Sequence, residues 1–94
     1  MKESSYAILG MGRFGRQVAQ HIAGLGAEIL IADIDEKKIN EYASRYTHAV
    51  VLDLRDDIAL KKIGLEHIDI AIVDLSHNTD AAVMSIMVAK EVGV

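Results

Sequence analysis

Ala7-Ile8-Leu9 runs straight into Gly10-Met11-Gly12-Arg13-Phe14-Gly15, so an apolar segment meets three glycines at G-x-G-x-x-G spacing and then a stretch with helical apolar spacing. Few backbones satisfy that order. A strand has to turn sharply into a helix: Gly10 permits the tight turn, Gly12 a close approach by a bound group, and Gly15 close packing of helix on sheet. A helix that starts there points its unpaired N–H groups and the positive end of its dipole at whatever lies in front of the turn, which suits a phosphate. A glycine triplet alone is weak evidence, but Asp33 ends the next apolar run about 20 residues on, where a nucleotide-binding fingerprint places its acidic residue.

The rest of the chain alternates. Residues 6–9 read as a strand and 14–25 as a helix with Phe14, Val18, Ile22 and Leu25 at helical spacing, stopped by Gly26. Strands follow at 28–32, 49–52 and 68–73, and helices at 36–45, 56–63 (stopped by Gly64) and 79–92. Continuous apolar runs such as Ile70-Ala71-Ile72-Val73 predict strands buried on both faces, and the alternation predicts a parallel sheet with right-handed crossovers. The expectation is an α/β, Rossmann-type unit of strand order 3-2-1-4 with helices on both faces. It forms one domain over residues 1–94, without linker, repeat or proline. A last helix with no fifth strand after it predicts a domain that is incomplete at its C-terminal end.

Composition narrows the class. Half of the 94 residues are hydrophobic and none is cysteine, which predicts one small, soluble, intracellular globular unit. A net charge of -4 and a pI near 5.4 argue against nucleic-acid binding. No apolar run approaches the roughly 18 residues that span a bilayer, so no direct membrane insertion is expected, and residues 1–5 lack the apolar core of a signal peptide. The last helix is unusual: from Ala81 to Ala89 only Ser85 is polar. Such a helix packs either between this sheet and further strands or against another subunit.

Candidate site residues follow from their places. Arg13, inside the turn, either forks onto phosphate oxygens or is an exposed arginine at a helix start, and Phe14 beside it joins the cofactor-binding set. Arg16, one turn on, reads as a surface residue. Asp33 either accepts hydrogen bonds from both ribose hydroxyls or caps the following turn; the first role repels a 2′-phosphate and favours NAD(H) or an unphosphorylated adenosine nucleotide over NADP(H). Asp35 reads as the cap of the next helix, and Ile34 is placed to pack on an adenine ring. Asp53 either accepts from the adenine amino group, with Leu54 beside it, or is a plain N-cap. His21, His48, His67 and His77 are scattered without carboxylates at ligand spacing, so no metal site is expected. There is no nucleophile elbow and no P-loop ending, His77 alone is placed as a general acid, and no second domain holds a substrate over a nicotinamide. An enzyme is therefore not expected; the alternative is the cofactor-binding half of an NAD-dependent oxidoreductase.

Gly10-Met11-Gly12-Arg13-Phe14-Gly15, then Ile31-Ala32-Asp33-Ile34-Asp35-Glu36-Lys37, then Glu41-Tyr42-Ala43-Ser44 with Thr47-His48-Ala49-Val50, resemble the KTN, or RCK, N-terminal domain of Trk/Ktr potassium-transport regulators, over essentially the whole chain. The resemblance implies a cytoplasmic regulatory subunit that binds NAD(H) or ADP/ATP and assembles as a homodimer or larger ring. It implies gating of a membrane-embedded potassium channel or transporter subunit at the inner face of the membrane, without chemistry on the nucleotide. By position it implies that Gly10, Gly12 and Gly15 form the phosphate loop, Arg13 contacts phosphate, Asp33 holds the ribose, and Asp53 lies near the adenine. One departure stands out. After the fourth strand the family has small residues and a glycine before an asparagine; Asp74-Leu75-Ser76-His77-Asn78 keeps Asn78, here counted with the cofactor-binding residues, but adds a carboxylate and an imidazole. Asp74 would repel a triphosphate unless a cation or Arg13 intervened, which favours a dinucleotide or ADP-like ligand over ATP.

Overall fold

The computed structural model describes residues 4–75 and 78–94 of the chain. Four strands, β1 (Ser5–Leu9), β2 (Glu28–Asp33), β3 (His48–Val51) and β4 (Ile70–Val73), form one sheet of order β3-β2-β1-β4 in which every pairing is parallel. That is the expected topology. Helices α1 (Arg13–Ala23), α2 (Glu36–Tyr42), α3 (Asp57–Lys61) and α4 (Thr79–Glu91) connect and follow the strands. Period-two alternation sends Ile8, Ile29 and Ile31 to one face, where they pack with Ala19, Ile22 and Ile39 of α1 and α2. Ala7, Leu9, Leu30 and Ala32 go to the other, against Leu60 of α3 and Ala81 and Val88 of α4.

Several boundaries differ from the sequence reading, each for a local reason. Helix α1 stops at Ala23, not residue 25, because the chain enters a glycine turn at Gly24 and reverses through Gly26 at φ +81°. The buried stripe is Gly15, Ala19 and Ile22, whereas Leu25 is 74% exposed and Phe14 59%. The segment expected as one helix over 36–45 is α2 followed by a 3-10 turn at Ala43–Arg45. Asp35 caps α2 through the Lys37 and Lys38 N–H groups, as its position predicts, and Asp56 caps α3 in the same way.

One burial expectation is corrected. Strand β4 is only half-buried: it is an edge strand, Ile72 packs against the α1–α2 core and Ala71 and Val73 against the opposite one, but Ile70 is 45% exposed. Helix α4 carries apolar side chains on both its inner and its outer side. Ser85 is turned into the core, while Val83, Ile86 and Met87 face outward.

Candidate functional site

The turn after β1 holds its shape through the three glycines and two carboxylates. Gly10 sits at φ +103°, donates to the Ala32 carbonyl at 2.8 Å, and lies so close to the Asp74 carbonyl and Leu75 Cδ2 that no side chain fits. A Cβ on Gly15 would come within 2.5 Å of the Gly10 carbonyl and 3.2 Å of Ile8 Cγ2, so helix and strand touch there as the spacing predicts. Met11 between them is fully buried in the α1–α2 core and anchors the turn. A Cβ on Gly12 would lie 2.5 Å from Asp74 Oδ2. The group packed against Gly12 is thus a side chain of the protein itself.

Asp33, 8% exposed at the end of β2, divides its carboxylate: Oδ2 accepts the Met11 N–H at 2.7 Å and Oδ1 the Asp35 N–H at 2.8 Å. It therefore braces the glycine turn and caps the turn after β2, while still lining the cleft beside it. Asp74, just past β4, places Oδ2 2.7 Å from the Gly15 N–H in the first turn of α1. A carboxylate there satisfies one of the helix-start donors that have no partner within the helix.

The cleft has a volume of about 470 Å³ and opens at the C-terminal ends of β1, β2 and β4. Of the residues expected to bind a cofactor, Gly12, Arg13, Phe14, Asp33, Ile34 and Asn78 line it; Gly10 and Gly15 shape its floor through the turn. Asp74, Leu75, Gln17 and Lys38 line it too. Gln17 and Lys38 were not anticipated, although helical spacing carries them there: Gln17 is one turn after Arg13, and Lys38 lies in the first turn after the Asp35 cap. Helix-start N–H groups, cationic Arg13 and Lys38, and apolar Phe14, Ile34 and Leu75 around one opening suit a ligand with a phosphate and a flat ring, as an adenine nucleotide has. Both Phe14 and Ile34 are exposed, in keeping with a role other than core packing.

Other expected residues go elsewhere. Leu54 is a core residue, 3% exposed against Leu60 and Leu65, and neither it nor Asp53 lines the cleft. Asp53 is gripped by Arg55, whose N–H, Nε and Nη2 lie 2.9, 3.0 and 2.9 Å from its oxygens. That guanidinium holds its carboxyl down at about 2, below the ordinary 3.8. Asn78 accepts the Ala81 N–H at 3.1 Å and so caps α4 from the cleft's edge. Arg16 is corrected from a surface residue to a half-buried one: Nε donates to the Gly12 carbonyl at 3.3 Å and Nη1 to the Tyr42 hydroxyl at 3.5 Å. Ser76 and His77, with the general-acid reading of His77, lie outside the described residues. Among the described residues no group of three potential ligands gathers as for a metal ion, and no helix is long and apolar enough to cross a membrane.

A family model described as TrkA-N domain matches residues 6–94. The chain is 38% identical over 92 residues to Ktr system potassium uptake protein C of Bacillus subtilis (strain 168), across 98% of this chain and 42% of that protein. It is 32% identical over 94 residues to Ktr system potassium uptake protein A of the same organism, across 100% and 42%. To Ktr system potassium uptake protein A of Vibrio alginolyticus it is 26% identical over 92 residues, across 98% and 42%. The chain thus spans about two fifths of the length of these relatives.

Proposed function

The chain belongs to the TrkA-N domain family, and on that premise we propose that it is a regulatory, non-enzymatic nucleotide-sensing domain of a potassium uptake system. The observation that carries the reading is the cleft itself. A glycine turn with no room for side chains at Gly10 and Gly15, the start of α1, Arg13, and Asp33 at the end of β2 all meet around one opening. NAD(H) is the favoured ligand, with ADP or ATP next. The first turn of α1 and Arg13 take the phosphates, the lone pairs left on Asp33 accept from ribose hydroxyls, and Ile34 and Phe14 flank the adenine. When bound, the nucleotide supplies charge and shape and undergoes no chemistry.

The outward face of α4, with Val83, Ile86 and Met87, supports assembly as a homodimer or larger ring, since three large apolar side chains exposed on one helix suit a partner surface. The output is gating of a membrane-embedded potassium channel or transporter subunit, which places the domain in the cytoplasm at the inner face of the membrane. A ligand shifts such an assembly only through unequal affinity for its states.

Calorimetric titration with NAD, NADH, ADP, ATP and NADP tests the reading. Adenine nucleotides lacking a 2′-phosphate bind, and Asp33→Ala weakens them by about ten-fold or more. Failure of every adenine nucleotide to bind would overturn the proposal, and tight NADP binding would overturn the role given to Asp33.

A further inference from the structure

A seat for a phosphate is an odd place for a carboxylate, yet Asp74 Oδ2 lies 2.7 Å from the Gly15 N–H and packs against Gly12 so closely that a Cβ there would come within 2.5 Å of it. The main chain at Asp74 is pinned. Its N–H donates to the Leu9 carbonyl at 2.9 Å, carrying the β1–β4 ladder one residue further, and its own carbonyl packs on Gly10. Only the side chain is free to leave, by rotation about its first torsion.

We propose that Asp74 is a specificity-determining residue: its carboxylate is the protein's own occupant of the phosphate seat, and a nucleotide binds by displacing it. This inference rests on the nucleotide-binding reading above. With no ligand, Asp74 satisfies a helix-start donor and holds the turn closed. When a phosphate arrives, two anions compete for one N–H, and their repulsion grows with the charge of the ligand. The seat therefore selects against highly charged ligands. Arg13 and Lys38 line the same cleft and, among the described residues, form no ion pair, so both are cations at hand for the incoming anion.

The test is a titration series of adenosine, AMP, ADP and ATP against the full chain, its Asp74→Asn form and its Asp74→Ala form, each checked for folding by circular dichroism. Asparagine keeps the shape and an acceptor for Gly15 but drops the charge. ADP is expected to bind about ten-fold or more tighter to both variants, ATP to gain more than ADP, and adenosine to stay within about two-fold. Unchanged or weaker ADP and ATP binding in both variants, with adenosine unaffected, overturns the inference and leaves the nucleotide reading standing. No binding of any member to any form overturns both. A second readout needs no variant: the Gly15 amide resonance moves when ADP is added to the unaltered chain, because its acceptor is exchanged, and a Gly15 amide that ADP leaves in place overturns the displacement.

Discussion

Asp33 Oδ2 accepts the Met11 N–H at 2.7 Å across 22 positions of sequence, so the turn after β1 is closed by a side chain from the end of β2. Residue 33 is thereby structural before it is anything else. Its second oxygen takes the Asp35 N–H, and removing the carboxylate orphans two amides, one of them on a fully buried residue. Asp33→Ala is expected to cost about 1–3 kcal/mol of stability, the penalty of an unpaired buried donor. Chemical denaturation of the ligand-free protein measures it, separately from any loss of binding. A loss below about 0.5 kcal/mol would mean that the two bonds do not brace the turn.

The turn's glycines are not equivalent. At Gly15 an added methyl meets the Gly10 carbonyl, which is backbone, whereas at Gly12 it meets the end of the Asp74 side chain, which can rotate. Gly15→Ala should therefore destabilise by about 1–3 kcal/mol, as overpacking does, and Gly12→Ala by less. Adding Asp74→Ala should recover most of the Gly12→Ala loss and none of the Gly15→Ala loss. Thermal unfolding of the four variants decides it.

The Asp53–Arg55 pair gives a pH signature. Asp53 is held at about 2 in the folded chain against an ordinary 3.8, mainly by hydrogen bonds from the Arg55 guanidinium. A depressed carboxyl stabilises fully above its unfolded value and loses that contribution as pH falls through its folded value. The acid sensitivity between about pH 4 and 2 should therefore shrink in Asp53→Asn, with stability near neutral pH changed only slightly because the pair is exposed. Denaturation curves at stepped pH test this; an unchanged acid limb would show the pair to be inert.

Helix α4 yields two opposite effects. The buried Ser85 hydroxyl has no hydrogen-bond partner among the described residues, so Ser85→Ala is expected to gain about 1 kcal/mol. Met87 lies on the outward apolar face, so Met87→Glu should leave monomer stability within about 0.5 kcal/mol but shift sedimentation toward the monomer. Sedimentation unchanged by Met87→Glu would argue that this face is not the contact.

Much of the site was legible because it follows local rules. Gly10, Gly12 and Gly15 announce a strand-to-helix turn by spacing, and Asp35 announces a cap by standing before an acidic first turn. The misreadings were of which way a side chain faces, which packing between elements decides. Leu54 reads as a cleft neighbour because it follows Asp53, but its packing against Leu60 and Leu65 puts it in the core. Phe14 and Leu25 fit a helical apolar stripe with Ile22, yet the face that meets the sheet is Gly15, Ala19 and Ile22, because Gly15 packs closely on Ile8.

Hydrophobic period, turn glycines and helix caps act over a few residues at a time, so the α/β alternation, the parallel order and the glycine turn can be read along the chain. What stands in front of that turn depends on how the strands pair. Parallel pairing of β1 with both β2 and β4 brings Asp33 and Asp74 to either side of it, 22 and 59 positions from their amide partners Met11 and Gly15. Those distances along the chain are closed by strand register, which no local pattern reports.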